Sequence, residues 1–208
     1  MPAEILTFVS RLMETNGYVV RSDGECLVID PGIGSAEMVA FLRREEARPG
    51  RIVLTHGHCD HIAGILELRA LVPAVAVWCP AADAEMLTDA TKNLSAPFGL
   101  PMAVGPASVL FAPGDVLPVG ETRWEVLDTS GHTPGGVSLY CRGEAVVFTG
   151  DALFADGIGR TDLPGSDPAG LLANIHEHLL SLSPETKVFP GHGPPTTIGD
   201  EARRNPFL

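Results

Sequence analysis

Short apolar runs, separated by turns rich in glycine, proline and aspartate, dominate the chain. Their alternation or continuity predicts strands at residues 5–9, 18–21, 26–30, 51–55, 74–78, 108–111, 123–127, 136–141, 145–149 and 186–189. Apolar residues recurring every three to four positions predict helices at 35–45, 60–71, 81–90 and 169–182. Ser35 reads as an N-cap, with Asp60 and Asp167 in similar roles near later helix starts. Residues 91–107 form the longest segment without a pattern, and loops of that length often flank a site or close over it. Many short strands with interspersed helices make a layered α/β architecture. With no repeat, linker or low-complexity tract, one domain over residues 1–208 is expected.

Composition narrows the function classes. The net charge is −12, which argues against broad contact with nucleic acid or an anionic membrane surface, since both need clustered Lys and Arg. Prolines 97, 101, 106 and 113 break the uncharged stretch 93–114, so no spanning helix is expected there. The start Met1-Pro2-Ala3-Glu4 lacks a basic segment followed by an apolar core. Four cysteines form no CxxC pair. Cys26, Cys79 and Cys141 read as small buried thiols of a reducing cytoplasm, so a cytoplasmic location is expected.

The chemistry concentrates in Thr55-His56-Gly57-His58-Cys59-Asp60-His61, on a strand-to-helix turn. Imidazole and carboxylate together suit zinc, iron or manganese, and a turn can aim alternate side chains into one cavity. Alternation points Cys59 away from its neighbours, so it is not counted as a ligand. The same arrangement, an apolar strand followed by glycine and a His or Asp, recurs at Val126–His132, Val146–Asp151 and Val188–His192. The candidate ligands are then His56, His58, Asp60, His61, His132, Asp151 and His192. Seven are too many for one tetrahedral zinc and suit two divalent ions sharing a carboxylate. His176 and His178 neighbour no such turn and read as surface and boundary packing residues.

HxHxDH, a later His before a strand, an Asp after a strand and a C-terminal GHG resemble the metallo-β-lactamase superfamily over essentially the whole chain. The likeness is strongest to small type II glyoxalases, the hydroxyacylglutathione hydrolase-like proteins, through Gly150-Asp151-Ala152-Leu153-Phe154, Ile158-Gly159-Arg160-Thr161-Asp162 and Gly191-His192-Gly193-Pro194. The resemblance implies a four-layer αββα sandwich with metals at one edge. It implies that His56, His58 and His132 hold one metal, that Asp60, His61 and His192 hold a second, and that Asp151 bridges them. Zinc is the first expectation, with iron or manganese as alternatives. It further implies a bridging Asp that metallo-β-lactamases proper generally lack, so antibiotic hydrolysis is not expected.

The implied reaction is attack of metal-activated hydroxide on a small-molecule thioester such as S-lactoylglutathione. Asp60 ligates and could also orient the water, while Arg160 aligns with a glutathione-contacting position, its alternative being an ion pair with Asp162 or Asp156. Asp30 is either an acceptor that fixes the ligand loop or an ordinary turn residue before proline. Asn16-Gly17-Tyr18 resembles a family motif with no catalytic role assigned. Two departures weigh against glutathione itself: the helical C-terminal domain of the larger enzymes is not expected here, and Gly193-Pro194 replaces an acidic residue and a tyrosine. The rival within the fold is a persulfide dioxygenase, with one iron on two His and one Asp. The sequence leaves the oligomeric state open.

Overall fold

The computed structural model describes residues 2–208. Six strands build the first sheet: β1 (Glu4–Val9), β2 (Asn16–Ser22), β3 (Glu25–Ile29), β4 (Arg51–Val53), β5 (Ala76–Pro80) and β6 (Val109–Phe111), in that spatial order. β1, β2 and β3 pair antiparallel, and β3 to β6 run parallel. The second sheet uses β7 (Val116–Val119), β8 (Thr122–Asp128), β9 (Val137–Cys141), β10 (Val146–Gly150), β13 (Lys187–Pro190) and β14 (Thr196–Thr197) in the order β14-β13-β10-β9-β8-β7. A small hairpin, β11 (Leu153–Phe154) with β12 (Gly157–Ile158), sits between β10 and the helices that follow.

Three apolar layers define the sandwich. Between the sheets, Phe148 is fully buried, with the rings of Tyr18, Trp124 and Phe189 at 4.8, 5.2 and 5.5 Å. Truncating it to alanine costs about 3–5 kcal/mol. On the outer face of the first sheet, Val28, Ile52 and Val77 meet Met38 and Leu42 of α1 (Ala36–Arg44), with Ile65 and Leu68. On the outer face of the second, Val147 and Val188 meet Leu171, Ile175 and Ile198. Helices therefore cover both sheets, giving the αββα layering.

All ten expected strands are present, displaced by two residues at most. The helical segments differ more. The expected helix at 60–71 is two pieces, α2 (Cys59–Ile62) and α3 (Ile65–Leu71). Gly64 lies between them, where an added Cβ would come within 2.7 Å of the Gly32 carbonyl, and its N–H bonds to Pro31 instead of continuing a helix. Asp60 therefore sits inside α2, with His58 in the N-cap position. Ser35 occupies the N-cap of α1 but makes no cap bond, because its hydroxyl donates to Gly32. Asp167 does cap α4 (Pro168–Asn174), accepting from Gly170. α4 continues as a π turn, Ile175–Leu179, and the segment expected as a helix at 81–90 is a 3-10 turn, Ala81–Leu87. The unforeseen β7 is an edge strand whose Pro118 disguises its alternation. α5 (Ile198–Arg204) ends the fold. Among the described residues, no helix is long and apolar enough to cross a membrane.

Topology explains why distant segments meet. β3 and β4 are parallel neighbours, β10 and β13 are parallel neighbours, and β8 runs the same way as β10 because each is antiparallel to β9. The turns after β8, β10 and β13 thus open on one edge of the second sheet, and the turn after β4 meets that sheet where the Thr55 carbonyl accepts from the Val137 N–H at 3.0 Å.

Candidate metal centre

Two trios of ligand atoms assemble at that edge. In each of His56/His58/His132 and Asp60/His61/His192, one ligand atom per residue lies within 4.8 Å of the others. In the first, His58 Nδ1 and His132 Nε2 face each other at 2.9 Å. In the second, Asp60 Oδ2 lies 3.2 Å from His192 Nε2 and 3.5 Å from His61 Nε2. Asp151 stands between the trios: Oδ1 is 3.3 Å from His61 Nε2, and Oδ2 is 3.5 Å from both His132 and His192. All seven sequence-derived candidates are therefore together. Gly191 lets the chain approach this closely, since a Cβ there would overlap the Asp151 carboxylate.

The nitrogens that do not face the centre are held from behind. His61 Nδ1 bonds to Asp30 Oδ2 at 3.1 Å, and His132 Nδ1 bonds to the Arg160 carbonyl at 2.8 Å. His56 Nδ1 is 3.0 Å from Thr55 Oγ1, which donates to Asp30 Oδ2 at 2.5 Å. Asp30 also accepts the Thr55 N–H, so one buried carboxylate fixes both imidazoles. It does so from a left-handed backbone, φ 45°. The acceptor reading of Asp30 is the one realised, and such partners set imidazole orientation and basicity.

The sequence reading missed Asp83. Fully buried, it accepts from the Gly57 N–H (3.0 Å), the Thr133 hydroxyl (2.7 Å) and the Gly135 N–H (2.7 Å), stapling the His56–His58 turn to the His132 turn. Burial raises its pKa against these donors. The one signal was an acid set among apolar Ala81, Ala82 and Ala84. On the opposite flank, Asn16 Nδ2 donates to Pro190 and Gly193, and the Tyr18 hydroxyl donates to Pro190, clamping the loop that bears His192.

The charge states of the two trios diverge. Burial, then the His61 charge, holds His56 well below the ordinary imidazole range, and burial with His132 pushes His58 down to about 4. Burial also opposes charge on His61, but Asp60 and Asp151 outweigh it and hold that imidazole well above its usual value. His192 is raised against burial by its bond to Asp60. Both carboxylates are lowered despite burial, with His61 the leading cause.

The donor set fits a cation. His56 Nε2, His61 Nε2 and Asp151 Oδ1 are buried without a hydrogen-bond partner among the described residues. Each such group costs about 1–3 kcal/mol unless something satisfies it. All three point into the space the trios share. A third grouping, Asp30/His56/His61, is satisfied otherwise, because both Asp30 oxygens accept the bonds described above. Cys59 is in none of these groups. Arg160 contributes its backbone to the centre, while its exposed guanidinium makes two 2.7 Å bonds to Asp162. His176 is exposed and His178 half-buried, both on the π turn and outside the centre.

The family model of the metallo-beta-lactamase superfamily matches residues 11–192. The chain is 38% identical to the probable metallo-hydrolase YqgX of Bacillus subtilis, covering 94% of this chain and 93% of that one. It is 34% identical to the hydroxyacylglutathione hydrolase GloC of Haemophilus influenzae, covering 96% and 95%. Among solved structures, BLEG-1 B3 metallo-beta-lactamase aligns with a TM-score of 0.93 at 39% identity, covering 99% of each chain. TTHA1623 in a di-iron-bound form aligns with a TM-score of 0.86 at 36% identity, covering 98% of this chain and all of that one.

Proposed function

Because the chain belongs to the metallo-beta-lactamase superfamily of metallo-hydrolases, we propose that it is a two-metal hydrolase that cleaves a thioester, with S-lactoylglutathione and related hydroxyacyl thiols the first candidates. The observation that carries this reading is Asp151, whose two oxygens reach residues of both trios. A carboxylate so placed suits two ions rather than one. The likeness to a hydroxyacylglutathione hydrolase and to a di-iron protein supports the same choice. Zinc is the first metal to test, then iron and manganese, since this His/Asp mixture accepts all three.

His56, His58 and His132 would hold the first ion, Asp60, His61 and His192 the second, and Asp151 both. When bound, such a pair supplies Lewis acidity, lowering the pKa of water to about 7 and offsetting charge that grows on the acyl oxygen. Asp60, steadied by the Thr15 hydroxyl at 3.1 Å, orients the attacking water. Asp30 and Thr55 keep the imidazoles aimed, which removes their reorganisation from the barrier. A thiolate leaves with little need of a proton, consistent with a centre whose only carboxylates are engaged with imidazoles.

The likeness to a B3 metallo-beta-lactamase favours a second reading, opening of a β-lactam ring. Elemental analysis of protein purified without added metal, joined to parallel assays, decides. Two ions per chain with thioester turnover support the proposal. Turnover of a chromogenic cephalosporin alone supports the second reading. One iron per chain with oxygen uptake on glutathione persulfide replaces both with the dioxygenase.

A further inference from the structure

Metal chemistry leaves one feature beside the centre unused. An apolar cleft of about 50 Å³ adjoins Asp60, its walls drawn from Leu12 and Met13, from Phe98, Leu100 and Met102, and from Cys59. Four of these side chains are largely open to solvent: Leu12 65%, Met13 40%, Phe98 60% and Leu100 60%. Such grouping of exposed apolar residues marks an interaction site. The walls are fixed. The 10–15 turn is tied to Asp60 through the Thr15 hydroxyl and to the His192 loop through the Thr15–His192 bridge. The 91–107 loop is tied to the ligand run by the Cys59 N–H donating to Asn93, whose side-chain amide holds Met86 and Met102.

Resting on the thioester reading above, we infer that this cleft seats an apolar arm of the substrate, so that the preferred thioester carries an aliphatic or aromatic acyl group. Asp60 lines both the cleft and the second trio, which makes the cleft continuous with the reacting centre. Among the described residues, Asp60 is also its only charged lining group. Nearby Arg11 is paired with Glu37 at 2.7 Å, and Arg160 with Asp162. Among the described residues, no Lys or Arg lines the cleft to receive the carboxylates of glutathione. The two methionines adapt to different chain shapes.

A series of S-acyl N-acetylcysteamine thioesters, acetyl through octanoyl, tests this on the metal-loaded protein. We expect kcat/KM to rise about fourfold per methylene until the cleft is full, and Phe98→Ser and Leu100→Ser to flatten the rise. Binding is read separately by the rate at which iodoacetamide alkylates Cys59, resolved by peptide mass spectrometry with half-buried Cys26 as internal control. Octanoate should slow Cys59 several-fold and leave Cys26 unchanged. Hydrolysis with no chain-length dependence overturns the cleft inference and leaves the hydrolase reading standing. A dependence that spares Cys59 and ignores both variants places the chain elsewhere and also overturns it. Protection of Cys59 without hydrolysis of any thioester retains the cleft and overturns the hydrolase reading. Absence of both removes the two together.

Discussion

The two trios share an edge and a carboxylate, yet they differ in almost every physical respect. His56, His58 and His132 are three imidazoles, none more than 5% exposed, with His56 and His58 held in the neutral form. Asp60, His61 and His192 mix a carboxylate with two imidazoles whose pKa values neighbouring acids raise, and the His192 side chain is 28% exposed. In the first, His56 and His58 are ready to accept an ion without shedding protons. The second must exchange protons for its ion and does so nearer to solvent. A pair of metals bound in this centre would thus be held by unequal grips.

Removing the shared element should have the largest effect. Asp151→Ala takes a ligand from both trios and should lower hydrolysis about 10³-fold or more, since metal stabilisation is worth several kcal/mol. Metal analysis after dialysis should find fewer than two ions per chain, and retention of both would show that Asp151 does not bridge. Next come the braces, which separate the trios. Asp83→Asn should weaken the first ion about 10–100-fold and spare the second, because its bonds reach only the Gly57, Thr133 and Gly135 backbone and hydroxyl groups. Asp30→Asn should weaken both, since Asp30 supports His56 through Thr55 as well as His61. Competition with a chromophoric chelator measures each loss, and equal patterns from the two variants would erase the distinction.

Acidification should sharpen the contrast further. The His61 pKa lies above its ordinary value, so the second ion displaces protons already at neutral pH, and its affinity falls as pH drops. His58 stays neutral down to about pH 4, so its hold on the first ion should outlast that of His61 on the second. Metal content followed from pH 7 to pH 4 should show sequential loss, one ion before the other. Simultaneous loss would mean the trios titrate as a unit. The smallest effect belongs to Arg160→Ala, about threefold or less in kcat/KM for S-lactoylglutathione, since an exposed ion pair occupies the guanidinium and the backbone carbonyl that supports His132 survives.

How legible the centre was in the sequence follows the same local and distant division. HGHCDH is contiguous, so His56, His58, Asp60 and His61 announce themselves by spacing. His132, Asp151 and His192 are visible only through the recurring strand, glycine and ligand order, and strand direction brings those turns to one edge. The four-layer arrangement came from family resemblance, since hydropathy marks strands but not which sheet receives them. Asp83 was hidden because its partners lie 26 and 50 or more residues away. The break at Gly64 was hidden because the residues that need the room, Pro31 and Gly32, belong to another loop. The cleft was hidden for the same reason: its two walls are far apart along the chain, and each alone reads as a loop with a few stray apolar residues.

The first hairpin turn divides its labour along its own length. At the base, Thr15 and Asn16 grip the loop that presents His192, while Leu12 and Met13 at the tip line the apolar cleft and brace none of the ligand turns. Mutation can therefore rewrite the tip generation after generation without loosening the ions, and the repertoire of molecules admitted can drift while the bond-breaking apparatus stays inherited intact.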